Sequence, residues 1–261
     1  MSDFLTPHLK DLPYFRALLR AVEARFYEDI SLPSPVLDLG CGDGHFASLT
    51  FEKPIEVGLD PWWGPIQEAA TYESYQDLVC AAGDKIPYPN NYFASAISNS
   101  VLEHIPDLDP VIAETARVLK PGAPFIFCVP NHRFLDTLSI AKGMDKIKLR
   151  GLANYYRRFF NRISRHYNCD SYDVWKMRLE KYGFEIEQHW DYFPPRSLIV
   201  LEWGHFFGVP SWVSKILFKR WIIAPTSWNL WLTNRLVRPH YDNNPISPVG
   251  VYSFYIAKRV G

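Results

Sequence analysis

The chain has 261 residues, 48% hydrophobic and 21% charged, which is enough to bury a sizeable core and too apolar for a disordered class. Its formal net charge is zero, yet residues 1–132 hold 8 Lys/Arg against 18 Asp/Glu, leaving 20 against 10 in residues 133–261. That split reads either as two solvated faces that attract each other or as a basic half that meets something anionic. Cys41, Cys80, Cys128 and Cys169 lie far apart without C-x-x-C or zinc-type His spacing, which excludes a disulfide scaffold and fits a reducing compartment.

The N-terminus MSDFLTPHLKDLPYF lacks a basic stretch followed by an apolar run, so no signal peptide is expected, and a cytoplasmic location is. No stretch reaches the ~18 uncharged apolar residues of a spanning helix. Residues 13–30 carry Phe15, Leu18, Leu19, Val22 and Phe26 at helical spacing, which predicts an amphipathic helix ending before Pro33 and Pro35. Strands and helices then alternate. Strands are expected at PVLDLG, IEVGLD, DLVCAAG, FASAISNS and APFIFCVP. Helices are expected at DGHFASLTF, GPIQEAATY and DPVIAETARVLKPG. Strands that are nearly continuous in apolar residues and separated by helices imply a parallel sheet covered on both faces. Beyond Pro130, residues 133–168 read as helical, basic and aromatic, 171–184 as a helix, FEIEQHWDYF as a strand and 251–260 as a closing strand. No internal repeat or low-complexity tract is present.

In PVLDLGCGDGHF a buried strand runs into Gly40, Gly42 and Gly44 and then opens a helix. Such a turn brings backbone amides and a helix N-terminus close to a ligand. The dinucleotide fingerprint G-x-G-x-x-G fails here, because its third position is His45. The spacing from Leu37 through Gly44 instead resembles motif I of class I S-adenosylmethionine-dependent methyltransferases. VGLD with Asp60, the stretch GDKIPYPNNYFASAISNSVLEHI and the turn ARVLKPG resemble three further landmarks of that family, in the same order. The resemblance covers about 100 residues, 35–131.

The resemblance implies an α/β fold: a Rossmann-like, seven-stranded, mostly parallel sheet with helices on both faces. It implies one methyltransferase domain over 1–261, with a helical cap at 1–34, a cofactor-binding core at 35–131 and acceptor-side insertions at 133–168 and 194–248. It also implies S-adenosylmethionine as cofactor, with Asp38 beneath the turn fixing its amides or the cofactor's amino group. Gly40, Cys41 and Gly42 would give close backbone approach, and Asp60 would accept both ribose hydroxyls. Pro61 and Trp62 follow and are open to packing on adenine or, for Trp62, to filling the core. Relatives carry an Asp where Ala82 stands, so adenine is expected at the backbone of Ala82 and Gly83, with Asp84 as a substitute side chain. Asn99 and Ser100 end the fourth strand, where open α/β sheets bind ligands.

His104, after Glu103, is a candidate general base, or LEHI is a scaffold element. His166 and His132 are further candidates. Some quinone O-methyltransferases carry metal ligands as E-x-x-E-H; Ser100 stands at the first acidic position here, so no metal is expected.

Two stretches are left to build the acceptor pocket. Residues 146–168 hold seven Lys/Arg and no acid, interleaved with aromatic residues. They read as a lid with a solvated basic face or as a helix on an anionic membrane; nucleic acid is not expected. Residues 197–239 hold Trp203, Trp212, Trp221, Trp228 and Trp231 beside Lys and Arg, as a membrane interface or as a buried subdomain. The expected activity is methyl transfer to a small-molecule or lipid-like acceptor at oxygen. The alternative is a non-catalytic binding protein on the same fold. The sequence leaves the oligomeric state open.

Overall fold

The structure, a computed structural model, describes residues 2–261 apart from the side chain of Val209. Its sheet has seven strands: β1 (Val36–Leu39), β2 (Ile55–Asp60), β3 (Tyr75–Cys80), β4 (Ser95–Asn99), β5 (Pro124–Pro130), β6 (Phe184–Tyr192) and β7 (Tyr252–Arg259). The order is β3-β2-β1-β4-β5-β7-β6. β1 to β5 are parallel, and β7 runs antiparallel between β5 and β6. The strand order reverses between β2-β1 and β4, so the carboxyl ends of β1, β2 and β4 border one crevice.

The side-chain period of two sorts each central strand onto two cores. On β5, Ile126 and Cys128 face one side, while Phe125, Phe127 and Val129 face the other. The second side is covered by α5 (Asp109–Val118) and α9 (Tyr172–Lys181), where Trp175 is fully buried and Phe127 stacks on its cross-strand neighbour Tyr255 at 4.8 Å. The first side is covered by α1 (Leu5–Asp11) and α2 (Tyr14–Phe26), which bury Leu5, Leu18 and Val22. The helix expected over 13–30 is α2. The shorter α1 falls in a segment that the periodicity argument did not reach.

The helices after β5 are α6 (Arg133–Thr137), α7 (Ser139–Lys146) and α8 (Arg150–Ser164). Those between β6 and β7 are α10 (Pro195–Phe207), α11 (Val209–Phe218) and α12 (Ser227–Asp242). α3 (His45–Thr50) and α4 (Trp63–Ala69) complete the set. The two late groups are fastened together by Glu202 on α10, which is fully buried. Its Oε2 accepts the Ser139 N–H (2.6 Å) and hydroxyl (2.7 Å), and its Oε1 accepts the Ile140 N–H (3.1 Å) and the Tyr156 hydroxyl (2.9 Å). One carboxylate thus caps the N-terminus of α7 and anchors α8.

Of the five Trp residues in the 197–239 stretch, Trp203, Trp212, Trp228 and Trp231 are exposed, Trp228 at 78%. α8 buries Ala153, Tyr156 and Phe160 and leaves Leu152, Tyr155, Phe159 and Ile163 exposed on its other side. Among the described residues no helix is long and apolar enough to cross a membrane.

Candidate active site

The turn after β1 is set by its glycines: Gly40, Gly42 and Gly44 have φ of 80°, 58° and 74°. The Gly40 and Cys41 amides donate to the Leu59 carbonyl at 2.7 and 3.0 Å, which pins the turn to the end of β2. A Cβ on Gly40 would lie 2.3 Å from Val101, so the loop after β4 also rests on this turn. Gly42 faces open space, with no atom within 4 Å of a Cβ built there.

Asp60 ends β2 and is buried. Its Oδ2 accepts the Gly42 N–H at 3.1 Å, and its Oδ1 accepts the Trp62 N–H at 2.9 Å. Both amides orient the carboxylate towards the turn and leave each oxygen a further lone pair. Burial raises its pKa, and the two amides oppose the shift. Pro61 is exposed, and Trp62 and Trp63 are 70% and 63% exposed, so neither indole fills the core. Ala82 and Asp84 are exposed beyond β3. Ala82 accepts the Lys85 N–H through its carbonyl, while Gly83 sits over Leu39 and Val111.

Asp38 lies on β1, opposite Gly58 of β2. It does not fix the turn's amides, which are held by Leu59 and Asp60. Its Oδ2 instead accepts the Tyr75 hydroxyl at 2.7 Å. The Tyr75 ring reaches across β2 only because Gly58 has no side chain; a Cβ there would lie 2.8 Å from the ring. Burial pushes the Asp38 carboxyl up to about 7, partly offset by the Tyr75 hydrogen bond. Tyr75 escaped the sequence reading, although a glycine inside a strand signals such a close approach.

Asn99 and Ser100 turn towards α2. The Asn99 amide donates to Glu23 Oε2 at 2.7 Å, and its carbonyl oxygens accept from Cys128 and Arg20. Ser100 adopts a left-handed φ of 52° and donates to Glu23 Oε1 at 2.9 Å, as does Tyr192, also at 2.9 Å. Arg20 pairs with Glu23 at 3.1 Å. This buried network locks the end of β4 onto α2.

Next to the Val101 contact, Ser100, Glu103 and His104 open onto a cavity of about 520 Å³ between α2, the end of α8 and α10. Arg16, Arg20, His166, His205, Trp212 and Tyr252 also line it. His104 and His166 are brought together, with ring centroids 5.4 Å apart. His104 Nδ1 lies 3.0 Å from the Arg165 carbonyl; as the donor there, it leaves Nε2 as an acceptor. Burial lowers the His104 pKa and pushes His166 down to about 3. Glu103 is 1% exposed, its Oε2 has no partner among the described residues, and burial pushes its carboxyl up to about 8. Glu103, His104 and His166 offer ligand-type atoms within 4.8 Å of one another. The nearby charges of Arg20, Arg165 and Arg16 work against a cation there. His132 is exposed, and neither it nor Tyr167 lines the cavity. A second cavity, of about 350 Å³ between α1 and the α11–α12 region, has no charged lining residue.

A glycine turn joined to a strand-end carboxylate, on a sheet of this order, is the arrangement the sequence resemblance implied. A family model described as a methyltransferase domain matches residues 11–189. The chain belongs to this family. It is similar, at 27% identity over 124 residues, to a ubiquinone biosynthesis O-methyltransferase of Vibrio atlanticus, covering 43% of this chain and 50% of that one. It is 25% identical over 137 residues to a malonyl-[acyl-carrier protein] O-methyltransferase of Legionella pneumophila, covering 49% of this chain and 48% of that one. The chain thus spans about half the length of these curated relatives. Among solved structures, a geranyl diphosphate C-methyltransferase from Streptomyces coelicolor shares the fold, with a TM-score of 0.53 and 14% identity over 91% of this chain and 75% of that one. The family's cofactor is S-adenosylmethionine, and the residues present fit it. Open space over Gly42 admits a ligand against the backbone, Asp60 keeps lone pairs for adjacent hydroxyls, and Asp38 Oδ1 has no hydrogen bond among the described residues.

Proposed function

We propose that this chain transfers a methyl group from S-adenosylmethionine to an apolar small-molecule or lipid-like acceptor, at an oxygen atom. The carrying observation is the Asp60 carboxylate, hydrogen-bonded into the glycine turn, together with a cavity lined by three neutral histidines. Asp60 would hold the ribose, Asp38 the amino group, and the backbone at Ala82 and Gly83 the adenine. When bound, the cofactor supplies an activated methyl electrophile. The protein's part is to align the acceptor, exclude water and take a proton.

His104 is the better placed base. Its Nδ1 faces the Arg165 carbonyl, which fixes the tautomer, and its Nε2 makes no hydrogen bond among the described residues, with Glu103 Oε1 3.8 Å away. His166, with a pKa near 3, is a weaker proton acceptor. Exposed apolar residues of α8 and α11, Ile163 and Trp212, line the cavity, and α8 carries Arg150, Arg157, Arg158 and Arg162. They support a second element of the reading: the enzyme rests on an anionic membrane surface and draws a greasy acceptor from it.

The test is turnover. Protein incubated with S-adenosylmethionine and a total lipid extract should release S-adenosylhomocysteine and add one methyl to an extract component. His104→Gln should lower the rate by roughly 10²-fold or more without weakening cofactor binding. Cofactor bound without transfer, across many extracts, would favour a binding protein on the same fold.

A further inference from the structure

We infer that the cavity selects acceptors carrying an oxyanion, a carboxylate or phosphate group, at one end of an apolar body, and that Arg16 binds that group. The inference deepens the methyl-transfer reading and rests on it for calling the ligand an acceptor. Arg16 projects from α2 into the 520 Å³ cavity. Among the described residues its guanidinium makes no hydrogen bond and no ion pair. It lies over the face of Trp221, 5.4 Å from the ring centroid. Arg20, one turn further along α2, is by contrast paired with Glu23 and bonded to the Asn99 carbonyl.

Arg16 is exposed to water through the cavity mouth, and the protein packed around it lowers its pKa by desolvation. With no counterion its donors stay available, and a planar five-donor fork matches a carboxylate or phosphate face on. Asp43 on the glycine turn is near enough to raise the Arg16 pKa but forms no ion pair with it. Arg16 in turn lowers the pKa values of His104 and His205. Arg16 shares the cavity with the candidate base, His104, where an anion bound to it would fix one end of the acceptor.

The other groups facing the cavity leave the field positive. Arg20 is offset by Glu23, Arg165 adds charge at the rim, Glu103 is held largely protonated at neutral pH, and burial holds His104, His166 and His205 neutral. Phe15, Phe134, Leu201, Trp212 and Tyr252 supply walls for the apolar body.

The test uses octanoate, octyl phosphate and octan-1-ol, titrated into the full chain with and without S-adenosylhomocysteine, read by calorimetry and by quenching of the cavity tryptophans. At least one anionic probe should bind about tenfold or more tightly than the alcohol. Arg16→Gln should abolish that preference while keeping the affinity for octan-1-ol and for S-adenosylhomocysteine, and Arg16→Lys should retain part of it. Equal binding of the alcohol and both anions by the wild type would overturn the inference, as would an undiminished preference in Arg16→Gln. Failure of S-adenosylhomocysteine to bind would count against the methyl-transfer reading instead, while the titration without it still decides the role of Arg16.

Discussion

Asp38 and Asp60 stand at the ends of neighbouring strands, yet their surroundings give them different tasks. Asp60 is fixed by two backbone amides, Asp38 by one phenol. Burial places the Asp38 carboxyl near 7 in the folded chain, above its ordinary value. Because the folded-state pKa is raised, ionising Asp38 opposes folding. Its contribution to stability is present at low pH and is lost as pH rises through about 7. A cofactor ammonium needs the carboxylate, so binding should move the opposite way. Calorimetric affinity for S-adenosylmethionine should strengthen from pH 6 to 8, and Asp38→Asn should flatten that profile. Tyr75→Phe removes the donor without emptying the space beside Gly58. It should weaken cofactor binding several-fold and lower stability by about 1–3 kcal/mol, measured by calorimetry and urea unfolding.

At the scale of elements, Glu202 carries more than its place in the sequence suggested. In a Trp-rich stretch it reads as a charge that interrupts an apolar run. In the fold it gathers four hydrogen bonds from α7 and α8. Glu202→Ala should cost about 3–5 kcal/mol in urea unfolding, since it leaves buried donors unpaired. The exposed aromatic faces of α8 and α10 to α12 lead to a separate expectation. The protein should float with vesicles rich in anionic lipid at low salt, float less at high salt, and lose most of the binding in a Trp228→Ser, Trp231→Ser variant. Vesicle binding that ignores both salt and these substitutions would contradict the interfacial role.

Across the whole molecule, what was legible was what is local. Strands β1 to β5 read as apolar runs, most of them separated by helical patterns, and the glycine turn, Asp60 and LEHI fall at family spacing, so five of the sheet's seven strands and the candidate cofactor-side residues were legible in residues 35–131. The other elements of the site are joined through space. Tyr75 reaches Asp38 across a strand, Glu23 on α2 holds the end of β4, and His166 arrives beside His104 from a separate insertion. No periodicity encodes these contacts. Arg16 was hidden for the same reason, as one basic residue on an amphipathic helix whose missing partner is visible only in three dimensions. The tryptophan stretch left burial and exposure both open, and packing leaves four of its five indoles exposed.

The account turns on Asp60 as the group that holds the cofactor's sugar. Isothermal titration of S-adenosylmethionine into wild type and Asp60→Ala, with thermal unfolding to confirm that the variant is folded, addresses it directly. Loss of two charge-assisted hydrogen bonds predicts roughly 10²-fold or greater weakening in a folded variant. Equal affinity in the two proteins, or no binding to the wild type, would contradict the assignment.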